Sequence, residues 1–338
     1  MRQVVITRSG GVEVLEVQEK PDPIPDKGEV IIRVKASGLN FADILARQGL
    51  YPDAPKMPCV VGYEVAGIVE AIGEEVDRTL LGRSVLALTR FGGQSDMVTV
   101  PANYLFEKPE SLSFEKAAAI PVTYLTAYAL LVVMGALQKG DAVLIHNAGG
   151  GVGLAALDIA KKIGATTYGT ASAAKHEFLK ERGLDHPIDY RSKDWLPVLK
   201  DLTGGRGVEL VIDPLGGAHW KKSYKALRAT GRLGVFGVST VSGNGMTGKI
   251  RALKAVIQTP KFNPFGLMNR NKGVFGLNLG HLWHEIEKSR QWMRAILDGV
   301  EEGSIRPHVD KAFSFDDVAQ AHTYIESRKN IGKVVLTP

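Results

Sequence analysis

AVLIHNAGGGVG, residues 142–153, is the stretch on which the fold turns. Its apolar run has the length of a buried strand, its glycines make a tight turn, and residues 153–163 continue with the spacing of an amphipathic helix. Strand, turn and helix in that order open a doubly wound nucleotide fold. With Ala148 in the first slot, Ala148-x-Gly150-x-x-Gly153 is a variant dinucleotide fingerprint. Around Gly150, Gly151 and Val152 the main chain can approach a pyrophosphate, and the helix N-terminus offers free N–H groups and partial positive charge. A tight turn with no ligand is the plain alternative.

The flanking sequence repeats the unit. Residues 142–146, 166–170, 210–212 and 234–237 read as buried parallel strands, and residues 153–163, 175–182, 195–202 and 220–227 as crossover helices. The expected class is α/β, with a Rossmann-type doubly wound parallel sheet. A dinucleotide carrying a free ribose 2′-OH usually meets Asp or Glu about 20 residues past the fingerprint. Here no acid stands between Asp158 and Glu177, and Asp158 falls inside the first helix. Ser172 and Lys175 instead offer a hydroxyl and a point charge suited to a 2′-phosphate. NADPH is therefore the expected cofactor.

Outside this region the pattern differs. Residues 4–6, 12–17, 29–36, 64–72, 84–89 and 97–101 read as short strands broken by glycine and proline turns, and residues 113–135 as helical. Residues 243–273 interrupt the alternation: they carry Lys249, Arg251, Lys254, Lys261, Arg270 and Lys272, no acid, and interleaved Ile, Leu, Val and Phe. Such a segment suits a substrate lid, a flap beside a dimer partner, or a peripheral contact with an anionic membrane. Residues 274–279 read as an edge strand that could pair with a second copy. Helices are expected over about 281–299 and over 315–327. His281 and His284 beside Glu285 read as capping or surface residues.

Composition narrows the class. The chain has 338 residues, 44% hydrophobic and 23% charged, which excludes wholesale disorder, coiled coil and collagen. Its 38 glycines follow no fixed period, so they mark turns and close approaches. One cysteine, Cys59, excludes an intramolecular disulfide and any multi-cysteine zinc site. With no apolar signal core in MRQVVITRSGG and no membrane-length apolar run, a cytoplasmic location is expected. Net charge is +6, and without a nucleic-acid module nucleic acid is not an expected partner.

Beyond these motifs the chain resembles the zinc-independent quinone oxidoreductases of the medium-chain dehydrogenase/reductase superfamily. The likeness runs in order through GLNFADILARQGLYP (38–52), VVGYEVAGIVEAIG (60–73), AAAIPVTYLTAYALL (117–131), the glycine loop, IDYRS (188–192) and SRKNIGKVVL (327–336). The insertion and VFGLNLGHLW are most similar to the branch of synaptic-vesicle amine-transport protein homologues. The resemblance implies a GroES-like, mostly β catalytic domain from residues 1–121 and 281–338, and a Rossmann domain from 122–280. It also implies that Tyr190 and Arg328 join Lys175 at the 2′-phosphate, and that Thr126 faces the nicotinamide. Phe236, Gly237, Val238 and Ser239, with Phe275, Gly276 and Leu277, would line the cofactor, and Asn330 would lie near it.

Zinc members of the superfamily use a Cys and the His of a Gly-His-Glu, where this chain has Asn40 and Tyr63. No metal site is expected. Without a Lewis acid, hydride addition to a quinone or an α,β-unsaturated carbonyl fits best, because the arriving charge spreads onto a conjugated oxygen. Asn40 and Tyr51 are the candidates to hydrogen-bond that oxygen, with solvent or a tyrosine giving the proton. Asn40 could equally cap a helix starting at Phe41 or Ala42, with Asp43 in its first turn. The rival function is an NADPH-binding, membrane- or lipid-associated protein with little turnover.

Overall fold

The computed structural model describes residues 1–243 and 245–338; Asn244, within the basic insertion, lies outside them. The first part of the chain contributes β1 (Arg2–Ile6), β2 (Leu15–Glu19), β3 (Glu29–Leu39), α1 (Phe41–Arg47), β4 (Glu64–Ile72), β5 (Ser84–Leu88), β6 (Met97–Pro101) and β7 (Leu105–Glu107). Helices α2 (Phe114–Ala118) and α3 (Pro121–Tyr128) lead into the parallel sheet. That sheet is built from β8 (Ala142–Ile145), α4 (Gly151–Ile163), β9 (Thr166–Ala171), α5 (His176–Glu181), β10 (His186–Asp189), α6 (Trp195–Leu202), β11 (Val208–Asp213), α7 (Ala218–Ala226) and β12 (Leu227–Val235). Helices α8 (Gly245–Gln258) and α9 (Pro264–Arg270) precede its last strand, β13 (Gly273–Gly276). The chain ends with α10 (Ile286–Glu301), β14 (Val309–Ser314), α11 (Val318–Glu326) and β15 (Lys333–Thr337).

Six strands lie parallel in the order β10-β9-β8-β11-β12-β13, so the order reverses beside β8, the strand that feeds the glycine loop. Ligand crevices form at such a reversal. Residues on β8 serve both faces: Val143 and Ile145 pack with α4, and Leu144 packs with Trp195 and Leu199 of α6 and Tyr224 of α7. That two-sided burial is why the strand reads as a continuous apolar run.

The second, mostly antiparallel sheet runs β14-β15-β3-β4-β5-β7, with β14 and β15 parallel and β6 also on β3. Strand β3 pairs with β6 through residues 29–33 and with β15 through residues 37–39. The end of the chain is thereby placed beside the residue that follows β3, Asn40. Asp158, buried on α4, ties this body to the parallel one. It pairs with Arg182 Nη2 (2.7 Å) and accepts from Tyr124 Oη (2.8 Å) and from the Arg306 main-chain N–H (2.9 Å).

Several sequence expectations shift. Residues 12–14 form a 3-10 turn, and the strand begins at Leu15. The helical stretch 113–135 breaks at Pro121, which lacks an N–H, and ends in a π turn at Ala129–Val133. The strand expected at 234–237 is β12 and stops at Val235; its first half, exposed at Arg228, Ala229 and Thr230 and carrying Thr230 at φ 69°, has no alternating pattern to reveal it. The helix expected from 281 starts at Ile286 after a 3-10 turn at Leu279–Leu282. Strands β7, β10, β14 and β15 and helices α8 and α9 lie outside the elements expected from the sequence.

Replacing Asp158 with Asn leaves the mostly buried Arg182, 12% exposed, opposite a neutral group. Breaking such a pair should lower the unfolding free energy by about 3 kcal/mol in urea melts; a loss under about 0.5 kcal/mol would show that the network is dispensable.

Candidate functional site

A cleft of about 1280 Å³ runs from the end of β9, past the glycine loop, to α1 and Tyr51. At its centre the loop is shaped by close approach. A Cβ on Gly153 would lie 2.6 Å from Ala148 O, and one on Gly150 would lie 2.6 Å from Asn147 Nδ2. Asn147 takes a left-handed φ of 54°, and Gly150 sits extended as the N-cap of α4. Unpartnered N–H groups at the start of α4 therefore face the cleft with no side chain in the way.

The C-terminal segment docks on this loop. Gly332 N–H donates to Gly149 O at 2.8 Å, and Asn330 O accepts from the Lys175 ammonium. Lys175 is half-buried, and desolvation lowers its pKa. Ser172, Lys175, Tyr190, Arg328 and Asn330 line the same end of the cleft, and among the described residues no carboxylate lines it there. A 2′-phosphate fits this wall on charge.

Thr126, Gly150, Gly151, Val152, Phe236, Gly237, Val238, Ser239, Gly276 and Leu277 also line the cleft. Phe275 does not. Its ring packs against Gly234, where a Cβ would meet it at 2.7 Å, so the side chain points into the sheet packing and away from the cleft.

Of the two roles open to Asn40, substrate hydrogen bond or helix cap, the structure shows the cap. It is the N-cap residue of α1, and its main-chain N–H donates to Asp43 Oδ2 at 2.7 Å. Its side chain is spent inside the protein: Oδ1 accepts from Lys333 Nζ (2.6 Å), and Nδ2 donates to Glu64 Oε1 (3.0 Å) and to Gly38 O (3.3 Å). Neither amide hydrogen remains for a substrate. Lys333 also pairs with Glu64, whose Oε2 accepts from the Val122 N–H at 2.7 Å. The sequence reading missed Lys333 and Glu64 as a pair. A lone lysine opening the apolar strand KVVL was the available signal, since a charge there needs a partner.

Tyr51, Tyr63 and Phe91 form the far wall, with ring centroids 6.2 Å apart between Tyr51 and Tyr63 and 5.6 Å between Tyr63 and Phe91. Burial, helped by Asp53 and Asp43, pushes the Tyr51 phenol up to about 12, so it stays protonated and can donate. Among the described residues the Tyr63 hydroxyl is buried without a partner, and burial pushes its pKa up further. With the Asn40 amide committed and the Tyr63 phenol held neutral, this donor set does not fit a zinc ion.

Among the described residues one cluster combines three metal-capable side chains, His146, Asp213 and His219. It closes on itself. His146 bonds Thr170 Oγ1 (2.9 Å) and Ser223 Oγ (3.2 Å); His219 bonds Asp213 (2.6 Å) and accepts from Trp195 Nε1 (3.2 Å). Burial lowers His146 to about 3, which keeps it neutral. His281 is exposed and bonds Asp53 at 3.0 Å.

Comparison with known proteins places these features in context. Residues 26–110 match the family described as alcohol dehydrogenase GroES-like domain, and residues 182–336 match the family described as zinc-binding dehydrogenase. The human synaptic vesicle membrane protein VAT-1 homolog is 40% identical over 100% of this chain and 86% of its own length. The structure of Escherichia coli quinone oxidoreductase complexed with NADPH is 30% identical, covers 100% of both chains and superposes with a TM-score of 0.87. That of CurK enoyl reductase is 29% identical over 99% of this chain and 98% of its own, with a TM-score of 0.85.

Asp43 gives a pH test of the site. Complete burial raises its carboxyl to about 7 against two main-chain N–H donors and Lys333. Because the folded pKa lies above the unfolded one, near 4, the folded state holds a proton that the unfolded state has lost between those values. Stability from this group is full below about pH 4, falls by roughly 1.4 kcal/mol per unit toward pH 7, and is level above. In urea melts wild type should therefore lose stability relative to Asp43→Asn, which has no titrating group there, as pH climbs through that window; parallel curves would contradict the assignment.

Proposed function

Because the chain belongs to the medium-chain dehydrogenase/reductase superfamily, in the branch of the VAT-1 homologues, we propose that it is a metal-independent, NADPH-dependent reductase of quinones or α,β-unsaturated carbonyls. The observation that carries this reading is the glycine cradle joined to an acid-free wall holding Lys175, in a cleft that ends at Tyr51. The likeness to a quinone oxidoreductase complexed with NADPH and to an enoyl reductase supports the reaction class. Bound in the cleft, the cofactor supplies a hydride to an electron-poor carbon.

The chain's own residues do the rest. The start of α4, through Gly150, Gly151 and Val152, takes the pyrophosphate. Lys175, Tyr190 and Arg328 take the 2′-phosphate, and Lys175 exchanges Asn330 O for it. Thr126, with Phe236, Gly237, Val238, Ser239, Gly276 and Leu277, walls the nicotinamide end. Tyr51 donates a hydrogen bond to the substrate oxygen and so stabilises charge arriving there. It is too weak an acid to give up its proton near neutral pH, so solvent supplies the proton. Asn40 is a positioning residue: it holds Lys333 beside the phosphate loop, where a Cβ on Gly151 would lie 3.7 Å from Lys333 Cδ.

We further assign the open edge of β13 to pairing with a second copy, giving a homodimer, and place the protein in the cytoplasm; no helix among the described residues is long and apolar enough to cross a membrane. The exposed apolar side chains of α8 and α9 favour one alternative, a lipid-associated NADPH-binding protein with little turnover. NADPH consumption over a panel of quinones, alkenals and cyclic enones separates the two, since tight binding without consumption would leave only the alternative.

Lys175→Ala should raise KM for NADPH about tenfold, as for a lost charged hydrogen bond, and leave NADH use unchanged. Equal effects on both cofactors would remove the 2′-phosphate assignment. Tyr51→Phe should lower kcat by roughly tenfold with KM for NADPH unmoved; an unchanged kcat would exclude Tyr51 from the reaction.

A further inference from the structure

The far wall of the cleft ends in a turn after β5 that is pinned along residues 60–63. Thr89 N–H donates to Tyr63 O at 2.9 Å, and its hydroxyl donates to Gly62 O at 2.8 Å. On the other side of the turn Gly93 N–H donates to Gly62 O at 3.2 Å and Gln94 N–H to Val61 O at 3.0 Å. A Cβ on Gly93 would lie 2.8 Å from Thr89 Oγ1 and 3.0 Å from Gly62 O, so a side chain there would force the two stretches apart. Arg90 and Phe91 stand at the crown of this turn, and their backbone is thereby fixed relative to Tyr63. Phe91 closes on the Tyr63 ring, while Arg90 is exposed and lines the cleft.

The other charged groups of the cleft are committed. Lys175 and Arg328 belong to the phosphate wall, and Lys333, 4% exposed, is held by Glu64 and Asn40. Asp53 Oδ2, beyond Tyr51, meets Asn278 Nδ2 and His281 Nε2, each at 3.0 Å. Arg90 makes no ion pair among the described residues. Its guanidinium is always charged and offers five N–H donors in a planar fork that matches a carboxylate, sulfonate or phosphate. The lining around it is apolar and aromatic: Leu88, Phe91 and Leu279, with Tyr104 and Trp283 stacked at 3.9 Å between ring centroids. Such a wall receives a flat apolar body, and a cation without a counter-charge stands at its rim.

On the reductase reading given above, we propose that Arg90 is a specificity residue that selects acceptors carrying an anionic substituent on the conjugated body whose carbonyl meets Tyr51. With the carbonyl inside the cleft, the anionic group lies on the solvent side, where the Arg90 fork takes it through charge-assisted hydrogen bonds. A neutral acceptor of the same shape gains the aromatic contacts and leaves the guanidinium to water.

The test uses the full chain saturated with NADP+, so that the phosphate wall is filled, and two unreactive ligands of one shape, naphthalene-2-sulfonate and naphthalene-2-sulfonamide. Isothermal titration calorimetry should show the sulfonate binding about tenfold tighter, with the gap narrowing as salt rises. Arg90→Gln should remove the gap, and Arg90→Lys should keep part of it, because lysine retains the charge and loses the fork. Equal wild-type affinities, or a gap that survives Arg90→Gln, overturn the proposal. Turnover separates it from the reductase reading. With NADPH, kcat/KM for 1,4-naphthoquinone-2-sulfonate relative to 1,4-naphthoquinone should fall about tenfold from wild type to Arg90→Gln, a comparison in which the intrinsic reactivity of each quinone cancels. A ratio that the substitution leaves unchanged also overturns the proposal. A calorimetric gap that depends on Arg90, with neither quinone consumed, upholds Arg90 as the anion site and defeats the reductase reading instead.

Discussion

Lys333 enters the interior at the start of the last strand with only 4% of its surface exposed, and an ammonium in that position must meet an opposite charge or lose its proton. Glu64, fully buried on β4, is that charge, and Asn40 bridges the two. Three remote stretches of chain are therefore held at one point: the end of β3, the start of β4 and the start of β15. Since Gly332 also bonds the glycine loop, the same point fixes the parallel sheet against the antiparallel one. The cleft exists where it does because these constraints meet beside it.

At the two positions where zinc members carry ligands, this chain has an amide tied into an ion pair and a tyrosine held neutral by burial. Lys333 also places a positive charge near the glycine loop. On the function proposed above, such a site polarises a substrate weakly through a hydrogen bond, which suits conjugated acceptors whose charge delocalises. The basic insertion, packed over Tyr51 by its small residues, adds a roof whose outer surface is chemically unlike the rest of the protein.

Much of this was legible from residues alone. The strand, glycine turn and helix at residues 142–163 announced the parallel sheet, and the missing acid after β9 located the phosphate wall, because both depend on short-range pattern. What escaped depends on long-range pairing. Strands β14 and β15 are short and far from their partners, and the register that sets β15 beside β3 has no local signature. The Phe275 ring was expected in the cleft because its neighbours line it, yet successive strand residues face opposite sides, and this one packs onto Gly234. Asn40 was read with two equal roles. A buried lysine 293 residues away, which no local pattern reveals, decided between them.

The central claim is that this cleft selects a phosphorylated dinucleotide through charge at the end of β9. Titration of the wild-type protein with NADPH and with NADH, followed by the fluorescence of the reduced nicotinamide, tests it most directly. The account predicts NADPH affinity at least about tenfold higher at low salt, with the gap narrowing as salt rises. Equal affinities, or a preference for NADH, would contradict it.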